Sequence, residues 1–159
     1  MSLKTQIHKV KYKNNVVPIN HDWALRKNNW LFSVSKRYET VEHWLGELVT
    51  KGYVQLIQEK ITLFEEHIGE YQIAKLEIDF GHHAVVLEPV GTRIARAKGR
   101  VDFFRRGERA KGFMLILNQF DENKNEWHVV NRRTRSDMRP VFNQALFEEA
   151  LEKWTNQML

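Results

Sequence analysis

Two carboxylates and two groups of basic residues are the side chains of this chain best suited to chemistry. Asp79 and Glu88 fall on successive predicted strands, and residues 91–112 (GTRIARAKGRVDFFRRGERAKG) carry eight Lys and Arg against two Asp and Glu. A second basic group lies in residues 131–140 (NRRTRSDMRP). Positive charge concentrated in this way attracts anionic partners at neutral pH.

The order of Asp79 and Glu88 resembles the metal site of nucleases of the restriction-endonuclease type. In those enzymes an Asp and a Glu on a hairpin hold Mg²⁺, and a lysine two residues after the Glu steadies the attacking water. Here that lysine position holds Val90. Asp79 and Glu88 are therefore candidate catalytic residues of a divergent nuclease, and surface carboxylates on a hairpin are the alternative interpretation.

The pattern of residues 93–104 predicts a strand with one basic face. Arg96, Lys98 and Arg100 would project to the same side, about 7 Å apart at about 3.3 Å rise per residue, while the small residues between them face the core. A hairpin turn at Lys98-Gly99 would instead bring Arg96 near Arg100 across two strands. Both versions place cations in a row suited to a polyanion.

We therefore predict an anion-binding site for nucleic acid or a phosphorylated ligand. Its residues are Arg93, Arg96, Lys98, Arg100, Arg105, Arg106, Arg132, Arg133 and Arg135. Loss of affinity with rising salt would identify nucleic-acid binding. The alternative is a solvated basic surface that resists aggregation.

The segment Gly91-Thr92-Arg93 has the chemistry of a small phosphate grip. Glycine permits a close backbone approach, and arginine binds phosphate through two parallel hydrogen bonds. Neither GxxxxGK nor GxGxxG occurs in the chain, so a nucleotide loop of either type is not predicted. A tight turn after Pro89 is the alternative for this segment.

Composition limits the classes of protein that fit. The 159 residues suit one domain, and residues 93–139 hold 13 Lys and Arg against 6 Asp and Glu, so the net charge of +5 belongs to the second half. The absence of cysteine excludes disulfides, thiolate nucleophiles and Cys-ligated zinc, and neither a metal nor a cofactor is predicted. Without an apolar run near ~18 residues, a soluble cytoplasmic protein with no membrane contact is expected.

Apolar spacing predicts two amphipathic helices in the first half. One runs from a cap at Thr40 to a left-handed stop at Gly52, and the second covers residues 56–68 with Glu65 turned to water. Asp22 is a further cap candidate for a short helix before them.

From Tyr71 onward the apolar period is two, which predicts four to six antiparallel strands with a turn at Gly81-His82. Apolar residues from Phe142 to Trp154 then predict a long carboxy-terminal helix. The predicted fold is α+β, with amphipathic helices, a curved antiparallel sheet and this helix in one domain over residues 1–159. Residues 1–21, with a strand over 5–13, would form a loosely attached strand and connection. A helix-grip arrangement, in which the sheet wraps the last helix around a cavity, matches this order.

The sequence favours a binding module for a polyanion over a catalytic role. One alternative is an enzyme, either the divergent Mg²⁺-dependent nuclease or an enzyme with a pocket between the sheet and the final helix. A further alternative is a protein-interaction or homo-oligomerisation domain, for which the aromatic helices supply surface.

Overall fold

The computed structural model describes residue 3 and residues 17–93, 97–118, 126–131 and 139–159. They form an amino-terminal helix, a six-stranded antiparallel sheet and a carboxy-terminal helix, which confirms the predicted α+β class. In chain order the elements are α1 (Val17–Trp44), α2 (Gly46–Thr50), β1 (Gln55–Glu65), β2 (Gly69–Asp79), β3 (Ala84–Gly91), β4 (Ala97–Arg105), a 3-10 turn (Arg109–Lys111), β5 (Phe113–Asn118), β6 (Trp127–Asn131) and α3 (Gln144–Met158).

The strands lie in the sheet in chain order, and each is antiparallel to its neighbours. The predicted turn at Gly81-His82 is confirmed, and there Asp79 Oδ1 accepts a hydrogen bond from the Gly81 N–H at 2.6 Å. β4 runs without a turn from Ala97 to Arg105, so the alternative hairpin at Lys98-Gly99 is wrong.

Both long helices cover the same face of the sheet. The rings of Trp30 on α1 and Trp127 on β6 lie 5.9 Å apart. Phe103 on β4 packs against Phe147 and Trp154 of α3, at ring distances of 5.6 and 4.9 Å. All five side chains are at most 5% exposed. Fully burying one large apolar side chain stabilises the fold by about 1.5–3 kcal/mol, so this aromatic layer holds both helices on the sheet.

The second predicted helix is wrong, because residues 56–68 form most of β1 and the turn after it. Its apolar residues fit a helical stripe, but Ile61 and Leu63 also alternate as they do in a strand. All eleven residues of β1 pair with β2, which supplies the backbone hydrogen-bond partners that a helix would otherwise provide. Short apolar runs often satisfy both periods, and here the neighbouring strand decides.

Helix α1 runs through both predicted helix starts, so neither Asp22 nor Thr40 is a cap. Thr40 lies inside the helix, where its hydroxyl donates a hydrogen bond to the Lys36 carbonyl oxygen at 3.0 Å. The predicted stop at Gly52 is confirmed, since this residue has a φ of +76° and follows the short helix α2.

Two further predictions concern the first 21 residues. The strand predicted over residues 5–13 lies outside the described residues. The connection predicted after it is wrong from Val17 onward, where the chain is already helical.

The outer parts of β1 and β2 form a hairpin arm, residues 59–75, over which β2 is not paired with β3. β2 pairs with β1 along its whole length but with β3 only over Leu76–Asp79. Where β2 leaves β3, the Tyr38 hydroxyl lies 2.8 Å from the Ala74 carbonyl oxygen and 3.2 Å from that of Leu87. Tyr38 therefore supplies a polar partner to carbonyl groups that the sheet leaves unpaired at this fork.

Candidate functional site

A cluster of two carboxylates and two arginines lies on the sheet face opposite the helices. Glu88 on β3 and Asp102 on β4 are direct cross-strand partners. Arg109, from the 3-10 turn, bridges them: its Nη1 donates to Glu88 at 2.5 Å and its Nε donates to Asp102 at 2.9 Å. Arg100 donates to the other oxygen of Asp102 at 2.8 Å. We call these four residues the carboxylate–arginine cluster.

Charges in this cluster neutralise one another. Asp102 is only 2% exposed, and both arginines compensate the cost of burying its charge. Burial lowers the pKa of Arg109, but its hydrogen bonds to Asp102 and Glu88 raise that pKa by more, so the net shift is upward. The guanidinium of Arg109 also lies 5.1 Å from the Phe104 ring centroid. The cluster consequently braces β3, β4 and the 3-10 turn.

Three of the predicted anion-binding residues are paired with carboxylates. Arg93 pairs with Glu66 at 2.7 Å, and Arg106 pairs with Glu77 at 3.2 Å. Arg100 belongs to the carboxylate–arginine cluster. Paired guanidinium groups at these distances offer less positive potential to a polyanion than the sequence suggests.

Four predicted members, Arg96, Arg132, Arg133 and Arg135, lie outside the described residues. Lys98 is half-buried and lies at the register irregularity between Ala97 and Gly99, and Arg105 lies on the helix face of β4, beside α3. Within the described ranges, neither Lys98 nor Arg105 forms an ion pair with a carboxylate.

Asp79 and Glu88 are not brought together. Asp79 pairs with Ala84 at the start of β3, and Glu88 follows four residues later, so about 13 Å of strand separates them. Asp79 is bound in the hairpin turn, and Glu88 is bound to Arg109. Across the residues that the structure describes, no group of three or more His, Asp or Glu is arranged to hold a metal ion.

The Gly91-Thr92-Arg93 segment does grip an anion, and that anion is the carboxylate of Glu65. Glu65 Oε1 accepts hydrogen bonds from the Thr92 N–H at 2.9 Å, the Thr92 hydroxyl at 2.7 Å and the Arg93 N–H at 3.2 Å. The Tyr71 hydroxyl donates to the other oxygen at 2.5 Å. Gly91, at φ +147°, leaves room, since a Cβ there would lie 3.1 Å from Glu65 Cδ.

This contact fastens the tip of the hairpin arm to the end of β3. Glu65 is 7% exposed, so the expectation that it faces water is wrong. Glu65 is the last residue of β1, so it lies at the tip of the arm, beside Thr92. A helix over residues 56–68 would have placed this side chain elsewhere. Nearby, His67 stacks on Trp23 with ring centroids 5.0 Å apart, which fixes the arm against α1 as well.

A cavity of about 640 Å³ lies between α3 and strands β4 to β6. In the described part of the chain it is lined by Phe103, Phe113, Val129, Asn131, Arg139, Pro140, Phe142, Leu146, Glu149, Ala150 and Lys153. Seven of these residues are apolar, three of them phenylalanines, and the other four are Asn131, Arg139, Glu149 and Lys153. We call this the main cavity.

A side cavity of about 70 Å³ adjoins the main cavity, because Phe113, Asn131 and Lys153 line both. Its other described lining residues are Arg105, Glu108, Lys111, Trp154 and Gln157. Lys111 pairs with Glu108 at 3.1 Å. In the described ranges, Arg105 and Lys153 pair with no carboxylate.

Sequence patterns contained part of the signal for the main cavity. The apolar positions of α3 span a wide stripe, in which Phe147, Leu151 and Trp154 enter the core while Leu146 and Ala150 border the cavity. The residues across the cavity, Val129 and Asn131, come from β6 and show no pattern that sequence reasoning could have linked to α3.

Comparison of the chain with protein-family models, with curated proteins and with solved structures finds no match. Among the helices of the described residues, none combines the length and the apolar character needed to span a bilayer.

Proposed function

We propose that this protein is a binding module for a small, largely apolar molecule held in the main cavity. The observation that carries the proposal is the cavity of about 640 Å³ with three phenylalanine rings in its wall. Ligand sites in proteins typically measure ~300–1,000 Å³ and combine apolar walls with a few polar groups. An apolar ligand in this volume would remove apolar wall surface from water, which favours binding.

The location of the main cavity also supports binding. Its floor is β4 to β6, and one wall is α3, which the aromatic layer anchors through Phe147 and Trp154. The segment before α3 is held too, since the Val129 N–H donates to the Pro140 carbonyl oxygen at 2.8 Å and the Phe142 N–H donates to the Trp127 carbonyl oxygen at 2.6 Å. Rigid walls lower the entropy cost of binding.

Binding of a polyanion by the basic face of β4 remains a prediction. Arg93, Arg100 and Arg106 are each committed to a carboxylate. Support for that function would have to come from Lys98 and from basic residues outside the described ranges.

A neutral apolar dye, N-phenyl-1-naphthylamine, tests the proposal. We expect its fluorescence to rise saturably with the wild-type protein, and Ala150→Phe, which fills the cavity, to weaken binding at least about tenfold, or about 1.4 kcal/mol. Ala24→Phe is the matched control, because Ala24 is exposed on α1. Leu146→Trp is a second filling variant if Ala150→Phe folds poorly by circular dichroism. Equal dye binding by the filled variants and the control would overturn the proposal.

A further inference from the structure

The side cavity turns the main cavity into a site with two chemically different ends. Resting on the proposed function, we infer that the ligand is an amphiphile with one anionic group, and that Lys153 and Arg105 hold this group in the side cavity. The apolar part of the ligand occupies the main cavity. Fatty carboxylates and alkyl phosphate monoesters are the class with this chemistry.

Lys153 stands where the two cavities meet. On α3 it follows Leu146 and Ala150 along the helix surface that borders the main cavity, and it precedes Gln157, which borders the side cavity. A residue at this position is within reach of a molecule that extends from one cavity into the other. Its long aliphatic stem lies along apolar surface while its ammonium group remains polar.

Arg105 lines the side cavity but not the main cavity. It lies two residues after Phe103 on the helix face of β4, about 7 Å farther along the strand. Phe103 belongs to the main cavity and Arg105 to the side cavity. Along both β4 and α3, apolar side chains that line the main cavity are therefore followed by a cationic side chain that lines the side cavity.

The charge balance favours an anion at this end. In the described linings the cations are Arg105, Lys111, Arg139 and Lys153, and the anions are Glu108 and Glu149. Lys111 is paired with Glu108, which leaves Arg105 and Lys153 facing the side cavity without a described carboxylate partner. A guanidinium and an ammonium group together form strong, charge-assisted hydrogen bonds with a carboxylate or a phosphate.

Chain-matched ligands test the inference. Decanoate, decyl phosphate and decanol share one apolar chain and differ in the head group, so each is titrated against protein loaded with N-phenyl-1-naphthylamine. We expect at least one of the two anions to displace the dye about tenfold more strongly than decanol. The stronger anion shows whether the head is a carboxylate or a phosphate.

Variants locate the head group. Arg105→Gln, which lies outside the main cavity, should weaken the anion about tenfold and leave decanol and dye binding unchanged. Lys153→Gln, at a residue that lines both cavities, should weaken the anion about tenfold more than it weakens decanol or the dye. Lys111→Gln is the matched control, because Lys111 lines the same cavity but is paired with Glu108. If decanol competes as well as the anions, or if neither variant changes anion binding, the head-group assignment is overturned while the proposed function stands. Absence of dye binding to the wild type would overturn the proposed function, and this inference with it.

Discussion

The carboxylate of Glu65 accepts hydrogen bonds from both the backbone N–H and the hydroxyl of Thr92, at 2.9 and 2.7 Å, across 27 positions of the chain. A grip that sequence suggested for a phosphate is thus filled by the protein's own side chain. Filling it in this way joins the hairpin arm to the end of β3.

Glu65→Gln should destabilise the protein. The substitution keeps the size of the side chain but replaces one acceptor oxygen by an NH2 donor, which faces either the Tyr71 hydroxyl or the Thr92 and Arg93 donors. It also removes the charge that strengthens the remaining hydrogen bonds. Leaving such buried donors without an acceptor costs about 1–3 kcal/mol, a loss that urea unfolding would measure as a lower free energy of unfolding. Glu66→Gln is the matched control, since the adjacent carboxylate is exposed, and a loss as large as that of Glu65→Gln would contradict this reading of the contact.

Gly99→Ala should also destabilise the protein, through overpacking. A Cβ at position 99 would lie 2.2 Å from Cζ3 of the Trp30 ring, which is 1% exposed. Strain of this kind costs about 1–3 kcal/mol and should change the near-ultraviolet circular dichroism of the tryptophans. Gly46→Ala serves as the control, because nothing lies within 4 Å of its added Cβ, and it should be neutral or slightly stabilising. Similar stabilities for the two variants would show that Trp30 does not pack on Gly99.

Stability should fall above about pH 10, partly because of Tyr38. Burial, and next the charge of Glu88, raise the pKa of Tyr38 above its ordinary value of 10.0. In the folded state the Tyr38 phenol therefore stays protonated. In the unfolded chain the same phenol ionises as the pH rises through about 10, and this ionisation lowers the free energy of unfolding by up to ~1.4 kcal/mol per pH unit. The contribution of Tyr38 is complete below that pH and is lost above it.

In Tyr38→Phe, the free energy of unfolding should fall less steeply above about pH 10, because one tyrosine with a raised pKa has been removed. At neutral pH the same variant should lose about 1 kcal/mol, since the hydroxyl no longer meets the Ala74 and Leu87 carbonyl groups. Urea unfolding at several pH values measures both effects. Tyr53→Phe, at a side chain with 68% exposure, should change neither, and an unaltered slope in Tyr38→Phe would refute the prediction.

Reversing the charge of Arg100 should have a much larger effect on folding than reversing that of Lys98. Arg100→Glu adds a carboxylate beside Asp102, which is 2% exposed, and removes one of its partners, a change expected to cost about 3–5 kcal/mol. Lys98→Glu changes a half-buried residue with no described ion pair and should fold normally by thermal unfolding. Comparable melting temperatures for the two variants would show that Arg100 does not brace Asp102.

Lys98→Glu is consequently the cleaner test of polyanion binding by the β4 face. If that face binds nucleic acid, the wild type should be retained on heparin or DNA in a salt-sensitive manner, and Lys98→Glu should elute at lower salt. Unchanged retention would remove Lys98 from the predicted anion site.

Patterns that involve only near neighbours in the chain were predictable. The two-residue period at Leu76 and Ile78, the turn at Gly81-His82 and the apolar stripe of α3 all match the structure, because side-chain spacing and turn chemistry act over a few residues. The helix predicted over residues 56–68 was wrong, because local spacing there did not distinguish a helix from a strand. Its residues satisfy both periods, and the choice was made by pairing with β2.

By itself, the sequence determined the α+β class, most of the antiparallel sheet and the concentration of basic residues in the second half of the chain. Only the tertiary structure decided which cations have partners, which acid fills the Gly91-Thr92-Arg93 segment and which residues of α3 and β4 to β6 line the main cavity. These are contacts between residues far apart in the chain, and they depend on strand register and helix placement. The spacing of residues along the chain determines neither strand register nor helix placement.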